Sequence, residues 1–528
     1  MTTGARIPGS PVLDTDVEAA ISRIRANLAR LELGDDPLFP TAILRGRHLV
    51  GSPLEDRPLL EGWRPFHARE TGAIRYRWAI DPKYAGRLPA WVGPEATWVP
   101  SRRGDAKALA EVPDRQPLFT ARLVTPLILA DMLELLGRAI ERGDDTSELA
   151  RAYLDEATPK VRRDAANWVQ ELHAWGDTWA LWALARRPAA LGSLHPFALA
   201  IADAYAAAAR RADGRVLGTR FPYHEVPLVS GSAQLATGLV ALGFHPRLVG
   251  SLAAWVSAEQ RDDGGWGDGT YSADVFTTLV AGDLLATLDP TYDPGPTATW
   301  FARAQRPDGW WRAYGPESTW LSVEIAAWLL EAGRPFADRF RWPHLALTNR
   351  DRRTGLPFYA YFSDLERLFA EVPGLANADV EVAFLDLAGF GTFNNALGMA
   401  RGDEALRAFA QALDAIPGSM AIRDGGDEFI VVGTPTATGL PGRLEAFRAS
   451  WPRTFAGTFG DSGIVAPRVL TAVVHGCDLV DARNTLGLEI GAVKKRYETV
   501  DRDGIQVDLG RLGSPSSDRR DRIDQVHR

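Results

Sequence analysis

Cysteine is nearly absent from this chain of 528 residues, in which Cys477 stands alone. A single cysteine cannot form an intrachain disulfide and cannot supply the thiolate cluster of a structural metal site. The sequence therefore excludes a small disulfide-stapled scaffold and favours a protein of the cytoplasm.

Long apolar runs and an excess of positive charge are also missing. The apolar stretch 123–137 is broken by Asp131 and Glu134, and the first residues lack the basic start and apolar core of a secretory signal. Acidic residues number 67 against 59 basic ones, which gives a formal net charge of −8. We therefore expect no membrane span, no secretory signal and no nucleic-acid partner. Any phosphate-bearing ligand must be bound by basic residues close to its site, because the chain as a whole is acidic.

The composition that remains is that of a folded, multidomain protein, with 46% hydrophobic and 24% charged residues. Of the 17 tryptophans, only Trp451 lies beyond Trp342, which indicates two domains with different cores. We expect an irregular region over residues 1–110, which caps a helical domain over residues 111–340. A second domain should follow over residues 345–512, and a disordered tail over residues 513–528.

A repeat runs through the first half of the chain. Three pairs of residues recur at a 45-residue offset: Trp255 with Trp300, Gln260 with Gln305, and Trp266 with Trp311. Asp-Gly dipeptides between them are typical of turns, so each copy predicts a helix, a Gly-rich turn and a second helix. Segments 168–182 and 221–242 predict fainter copies.

The Gln-x-x-x-Gly-x-Trp pattern of both copies resembles the repeats of the prenyltransferase and squalene-hopene cyclase superfamily. Members of that superfamily curl helical hairpins into an α/α toroid around an apolar cavity. The resemblance implies a mainly α, toroid-like domain, which we expect to act as a sensor or assembly module for an apolar or isoprenoid-like ligand. Terpene cyclisation is disfavoured, because Asp274 is the only acid where protonating cyclases of the superfamily carry several.

Carboxylates in the second half of the chain predict a different chemistry. The apolar segment 380–387 is typical of a β-strand, and Asp386 lies at its end. Segment 420–432 predicts a β-hairpin whose turn contains two glycines and Asp427. Nucleotidyl transfer requires divalent cations held by carboxylates from separate elements. Asp386 and Asp427 are the natural pair.

Segment 425–429, Gly-Gly-Asp-Glu-Phe, is the full signature of the GGDEF diguanylate cyclases, which condense two GTP molecules into cyclic di-GMP. Further blocks resemble the family in the same order: 351–357, 386–390, Asn394 and 402–403. The resemblance covers residues 345–512 and implies an α/β, palm-like domain with a central mixed or antiparallel sheet. Segment 386–390 also resembles the metal-binding strand end of class III adenylyl and guanylyl cyclases, although the hairpin favours the diguanylate family.

The resemblance assigns a role to each matching position. Asp386, Asp427 and the backbone carbonyl of Leu387 would hold two Mg²⁺ or Mn²⁺ ions, and Glu428 would assist the 3′-hydroxyl. The remaining positions would let phosphate approach (Gly425 and Gly426), read guanine (Asn394 and Asp403) or contact the triphosphate (Lys494 and Lys495).

Several positions depart from the family pattern. Ala388 replaces a second acid, and Gly391, Met399 and Glu498 replace a lysine, a histidine and an arginine. The positions of the product-inhibition site are Ile416 and Ser419, so feedback through that site is expected to be absent. We expect a diguanylate cyclase that works as a homodimer, with a catalytically weak GTP-binding receptor as the alternative.

Overall fold

The computed structural model of the chain describes residues 14–32, 40–55, 67–68, 73–74, 174–187, 191, 195–211, 215–220, 224–243, 245–268, 272–312, 319–334, 336–341, 350–434, 438–460, 465–497 and 504–512. Most of the predicted region 1–110, the predicted tail and Glu498 lie outside these residues. Contacts between residues divide the chain into two compact units. The first unit comprises Met1–Ala286 and Tyr292–Arg334, and the second comprises Thr287–Thr291 and Pro335–Arg528.

In its described residues, the first unit contains helices and two short hairpins. Its helices are α1 (Thr15–Leu28), α2 (Pro40–Leu49), α3 (Ala174–Ala185), α4 (His195–Arg211), α5 (Val229–Leu242), α6 (Pro246–Ala258), α7 (Val275–Leu288), α8 (Gly295–Ala304) and α9 (Thr319–Ala332). Its antiparallel hairpins pair β1 (His67–Ala68) with β2 (Ala73–Ile74), and β3 (Leu217–Arg220) with β4 (His224–Pro227).

Helices of the repeat region alternate between two kinds of burial. Every residue of α5 is buried, and α9 is buried around most of its circumference. In contrast, α6 and α8 bury one face only. This alternation indicates that α5 and α9 lie inside the unit, with amphipathic helices packed around them.

The two glutamines of the repeat make the same contact in both copies. The Nε2 of Gln260 donates to the carbonyl of Gly264 at 3.2 Å, and the Nε2 of Gln305 donates to the carbonyl of Gly309 at 3.0 Å. Gln305 also donates to the carbonyl of Ala20 in α1 at 3.1 Å. Each glutamine therefore closes the Gly-rich turn that follows its helix.

The tryptophans of the repeat also superimpose in their contacts. The indole Nε1 of Trp266 donates to the carbonyl of Val256 at 2.7 Å, and that of Trp311 donates to the carbonyl of Phe301 at 2.9 Å. Both rings are fully buried. The two copies predicted from the 45-residue offset thus make matching local contacts, whereas their likeness to prenyltransferase repeats and closure into a toroid stay predictions.

Two aspartates of the first unit serve as helix caps. Asp274 accepts the backbone N–H groups of Phe276 and Thr277 at the start of α7. Asp268 accepts the N–H of Ser230 at 2.8 Å, near the start of α5. Burial raises the pKa of both carboxyl groups, and the charge of Asp268 raises that of Asp274 further. The acid considered for cyclase chemistry thus has a capping role.

The second unit is an α/β domain around a five-stranded sheet. Its helices are α10 (Phe336–Arg339), α11 (Tyr359–Glu371), α12 (Pro373–Ala376), α13 (Phe390–Leu397), α14 (Met399–Asp414), α15 (Gly439–Phe459) and α16 (Leu479–Arg496). Its strands are β5 (Asp379–Ala388), β6 (Ser419–Gly425), β7 (Glu428–Gly433), β8 (Ala466–His475) and β9 (Ile505–Arg511), in the order β6-β7-β5-β8-β9. All neighbours are antiparallel except β8 and β9, so the sheet is mixed, as predicted.

Strand β5 lies at the centre of the sheet and is buried along nearly its whole length. Alternate residues such as Leu385 pack in one core cluster with Phe409 of α14 and Trp451 of α15. The other face of the sheet carries Asp386 and is covered by α11 and α16. Within the described residues, none of the helices combines the length and the apolar character that crossing a bilayer requires.

We predict that Gln305→Ala lowers the thermal stability of the first unit, because the substitution removes the side-chain donor to the Gly309 carbonyl in the turn and to the Ala20 carbonyl in α1. The expected loss is about 1–3 kcal/mol in the free energy of unfolding. Tryptophan fluorescence measures it during thermal unfolding, since nearly all tryptophans lie before Trp342. The exposed Arg303→Ala of α8 is the control, and equal loss in both variants would contradict the role given to the glutamine.

Candidate active site

Asp386 occupies the middle of the sheet near the end of β5. The strand register places it opposite Glu428 of β7 on one side and Arg468 of β8 on the other. Its side chain is buried, with 2% exposure. A carboxylate at such a depth stays ionised only where cations and hydrogen-bond donors compensate for lost water.

Two cationic side chains make that compensation, one at each oxygen of Asp386. The Nη1 of Arg468 donates to Oδ2 at 2.8 Å, and the Nζ of Lys494 lies 2.7 Å from Oδ1. Lys494 also donates to Oε1 of Glu428 at 3.0 Å. Against the lowering effect of partial burial, the two carboxylates hold the pKa of Lys494 above its usual value.

Asp427 lies at the turn of the β6–β7 hairpin, beside the end of β5. The N–H of Leu387 donates to the backbone carbonyl of Asp427 at 3.3 Å, which joins the hairpin turn to the strand. Burial raises the pKa of the Asp427 carboxyl, and the nearby charge of Asp386 raises it further. Two carboxylates that repel each other at close range are the donor set that a divalent cation stabilises. These residues therefore fit such an ion.

A third metal-ligating side chain does not join the pair. Within the described part of the chain, no group of three or more histidine, cysteine, aspartate or glutamate side chains converges as a metal site. Any cation held here would need backbone or substrate oxygens as well, and the Leu387 carbonyl assigned by resemblance is adjacent in sequence to Asp386.

The two glycines of the hairpin turn border open space. A Cβ built at Gly425 or Gly426 would meet no atom within 4 Å, and Gly426 has a positive φ of 47°. Buried Arg423 holds the turn, donating through Nη2 to the Gly426 carbonyl at 2.6 Å and pairing through Nη1 with Asp351 at 2.5 Å. The turn is therefore fixed in place and leaves room for a bulky ligand.

Asn394 and Asp403, predicted to read guanine, come from neighbouring helices α13 and α14. A Cβ at Gly402 would lie 1.7 Å from Oδ1 of Asn394, so this glycine lets the amide lie against α14. The buried Oδ1 has no hydrogen-bond partner among the described residues. Asp403 lies 3.6 Å from Nη1 of Arg353, measured from its Oδ1. The structure thus places Asn394 against Gly402, the residue that precedes Asp403 in the chain.

The other predicted positions divide into two groups. Lys494 contacts the carboxylates of Asp386 and Glu428. Lys495 is exposed, and among the described residues it contacts none of the three carboxylates of the site. Ile416 is buried in the core and the Ser419 hydroxyl donates to its carbonyl, so neither position offers a charge to a ligand. Met399 is 62% exposed.

Arg468 was not predicted from the sequence. Nothing in the local pattern of β8 distinguishes it, since its role follows from lying across the ladder from Asp386. The only available signal was an arginine within an apolar strand segment, because an arginine is rarely buried without an acidic partner.

Comparison with known proteins assigns this part of the chain. Residues 348–446 match the family model described as "Diguanylate cyclase, GGDEF domain". The chain carries a GGDEF domain. That match covers less than half of the chain, and no curated protein matches the chain.

Three solved structures show low similarity to this chain. Diguanylate cyclase SiaD of Pseudomonas aeruginosa, solved with its activator SiaC, is 25% identical, with a TM-score of 0.27 over 31% of this chain and 64% of that chain. The coiled coil and GGDEF domain of DgcB from Caulobacter crescentus, in complex with c-di-GMP, is 20% identical, with a TM-score of 0.26 over 31% and 87%. The DgcB GGDEF domain alone, also with c-di-GMP, is 24% identical, with a TM-score of 0.25 over 30% and 93%. This chain therefore spans less than two thirds of the SiaD chain.

We predict that Asp427→Asn raises the melting temperature at about pH 7. Because burial and Asp386 raise the pKa of Asp427, ionisation of this group is less favourable in the folded chain than in the unfolded chain. The free energy of unfolding therefore decreases as the pH rises above the pKa of the group in the unfolded chain. The variant, which carries an uncharged amide, avoids this decrease. The gain should shrink as the pH falls toward about 4, because protonation then removes the charge that burial and Asp386 disfavour.

Asp424→Asn is the matched control in the same hairpin. Its carboxylate accepts from Nη2 of Arg483 at 2.8 Å, so neutralising it removes an ion pair and should not stabilise the fold. Thermal unfolding followed by circular dichroism measures both variants. A melting temperature lowered by Asp427→Asn at neutral pH would show that this carboxylate is not under electrostatic strain.

Proposed function

We propose that the chain is a diguanylate cyclase that condenses two GTP molecules into cyclic di-GMP with release of two pyrophosphates. The observation that carries the proposal is the convergence of Asp386 and Asp427 from separate elements beside a glycine turn that borders open space. The GGDEF family match over the same residues supports it.

Phosphate groups find suitable partners at this end of β5. Helix α13 begins directly after Gly389, so its first backbone N–H groups lie just beyond the strand end that carries Asp386. Such N–H groups bind phosphate oxygens. A Cβ at Gly391 would meet no atom within 4 Å, which leaves the approach open. Lys494 lies close enough to the carboxylates to exchange one of them for a phosphate oxygen.

The transfer step needs a nucleophile, an electrophile and a path for one proton. The 3′-oxygen of one GTP attacks the α-phosphorus of the other, the bond to the β-phosphate oxygen breaks, and pyrophosphate leaves. A divalent cation bound by Asp386 and Asp427 would neutralise phosphate charge and favour ionisation of the 3′-hydroxyl. Glu428, half-buried beside Lys494, is placed to accept the hydroxyl proton or pass it to water.

Asn394 and Asp403 would give the site its preference for guanine, and the contact of Asn394 with Gly402, the residue before Asp403, supports this role. A carboxylate accepts from guanine N1–H and the N2 amino group, whereas adenine offers no donor at N1. The Asn394 amide complements guanine acceptors. Leaving these polar groups without partners would penalise adenine nucleotides.

Assembly and regulation extend the proposal beyond the single site. Each site binds one GTP, so two GGDEF domains must face each other for both transfers, and a two-fold homodimer is the minimal arrangement. We propose that the helical repeat unit, as a toroid-like sensor for an apolar ligand, controls this encounter.

A GTP-binding receptor without turnover is the second candidate. Both oxygens of Asp386 already have a cationic partner, and Ala388 and Gly391 lack the acid and the lysine of the family pattern. These features favour nucleotide recognition over catalysis. The receptor and the enzyme differ in product, which a single assay detects.

We predict that the full chain with GTP and Mg²⁺ forms cyclic di-GMP and pyrophosphate, and that Asp427→Ala lowers the rate at least a hundredfold. Chromatography of the products measures turnover, and calorimetry measures GTP binding. The Asp424→Asn variant serves as a control that retains all three carboxylates of the site. GTP binding without any product would favour the receptor, and no GTP binding would overturn both.

We also predict that Gly402→Ala weakens GTP binding roughly tenfold without unfolding the chain, because the new methyl group displaces the Asn394 amide. Gly457→Ala of α15 is the matched control, since its Cβ would meet no atom within 4 Å. Calorimetric titration with GTP and ATP measures both variants. Unchanged GTP affinity in Gly402→Ala would remove Asn394 from the guanine site.

A further inference from the structure

We propose that Arg468 is a built-in cation of the active site, which occupies one oxygen of Asp386 and restricts the site to one tightly bound divalent ion with GTP. The inference rests on the proposed function. It departs from the two ions that the family resemblance implies, and it depends on the side chains of this chain alone.

The position of Arg468 is fixed by two separate elements. It lies directly across the β5–β8 ladder from Asp386, with 2.8 Å between its Nη1 and Oδ2 of the carboxylate. Its Nη2 donates to the carbonyl of Tyr497, immediately after α16, at 3.2 Å. The side chain is 10% exposed. Since a guanidinium stays protonated and is costly to leave buried without its acid, this contact persists when ligands bind.

Lys494 differs from Arg468 in both exposure and attachment. Its side chain is 37% exposed and its single Nζ is shared between Asp386 and Glu428. A flexible, partly hydrated ammonium group moves readily to a phosphate oxygen. Binding of GTP therefore frees Oδ1 of Asp386, while Oδ2 stays with Arg468.

The ligands left over are sufficient for one ion. They are Oδ1 of Asp386, the carboxylate of Asp427 and the neighbouring backbone carbonyl of Leu387, completed by phosphate oxygens. Ala388 stands where the family has a second acid, so that position adds no carboxylate. Two cationic side chains also offset two of the three carboxylate charges, which weakens the attraction for a second divalent ion.

The test counts ions rather than turnover. The full chain is saturated with a GTP analogue carrying a methylene bridge between the α- and β-phosphates, and bound Mn²⁺ is determined by electron paramagnetic resonance. We expect one tightly bound Mn²⁺ per chain. In Arg468→Met a second Mn²⁺ should bind roughly tenfold or more tightly than in the unchanged protein.

Two further variants control the substitution. Arg443→Met removes another arginine that pairs with a β5 carboxylate, Glu381, five positions from Asp386 along the strand, and should leave the count at one. Arg468→Lys keeps the positive charge and should also keep one ion. Circular dichroism establishes that each variant is folded.

Two tightly bound Mn²⁺ ions in the unchanged protein would overturn the inference, even if Arg468→Met failed to fold. An Arg468→Met variant that folds and still binds one ion would overturn it as well. Calorimetry of the analogue separates this failure from that of the proposed function, because a chain that binds no nucleotide loses both.

Discussion

The carboxylate of Asp386, buried within a five-stranded sheet, is the feature around which the charged groups of the site are arranged. It is tolerated because Arg468 and Lys494 contact its two oxygens and because Glu428 shares Lys494. The strand register holds this arrangement in place. Since side chains alternate between the faces of a sheet, a slip of one residue in β5 would turn Asp386 toward the apolar cluster around Phe409. Fold and chemistry are therefore coupled through one ladder of hydrogen bonds.

Around this carboxylate, the charges of the domain have been redistributed relative to the family pattern. The acid, lysine and arginine expected at Ala388, Gly391 and Glu498 are absent from the sequence. A cation is supplied instead from strand β8, which lies inside the sheet. A basic side chain on an inner strand, such as Arg468, is less mobile than one at the end of a helix, such as Lys494. It is therefore better suited to holding a carboxylate in place than to binding a phosphate that moves. Arg468 thus supplies a positive charge that the family pattern places elsewhere, but it holds the Asp386 carboxylate instead of binding phosphate.

How far the sequence predicted the site depends on the distance between partners along the chain. The end of β5 and the glycine hairpin follow from segments of fewer than about fifteen residues, where turn chemistry and periodicity act directly, whereas Asn394 and Asp403 were predicted only from the family resemblance. The partnership of Arg468 with Asp386 spans 82 positions, and that of Arg423 with Asp351 spans 72. Such pairs arise from strand register and packing, which leave no mark in the local pattern. In the helical unit, the 45-residue offset predicted that two copies share one local structure, but neither the hydrogen bonds of the glutamines nor the contact of Gln305 with Ala20.

The central claim is that Asp386 and Asp427 together bind a divalent ion at the triphosphate of GTP. X-ray diffraction at the manganese absorption edge, from crystals of the full chain grown with Mn²⁺ and a non-cleavable GTP analogue, tests it most directly. We expect an anomalous peak at metal–oxygen bonding distance from both carboxylates and from a phosphate oxygen, with the guanine beside Asn394 and Asp403. A nucleotide bound elsewhere, or a peak that contacts neither aspartate, would contradict it.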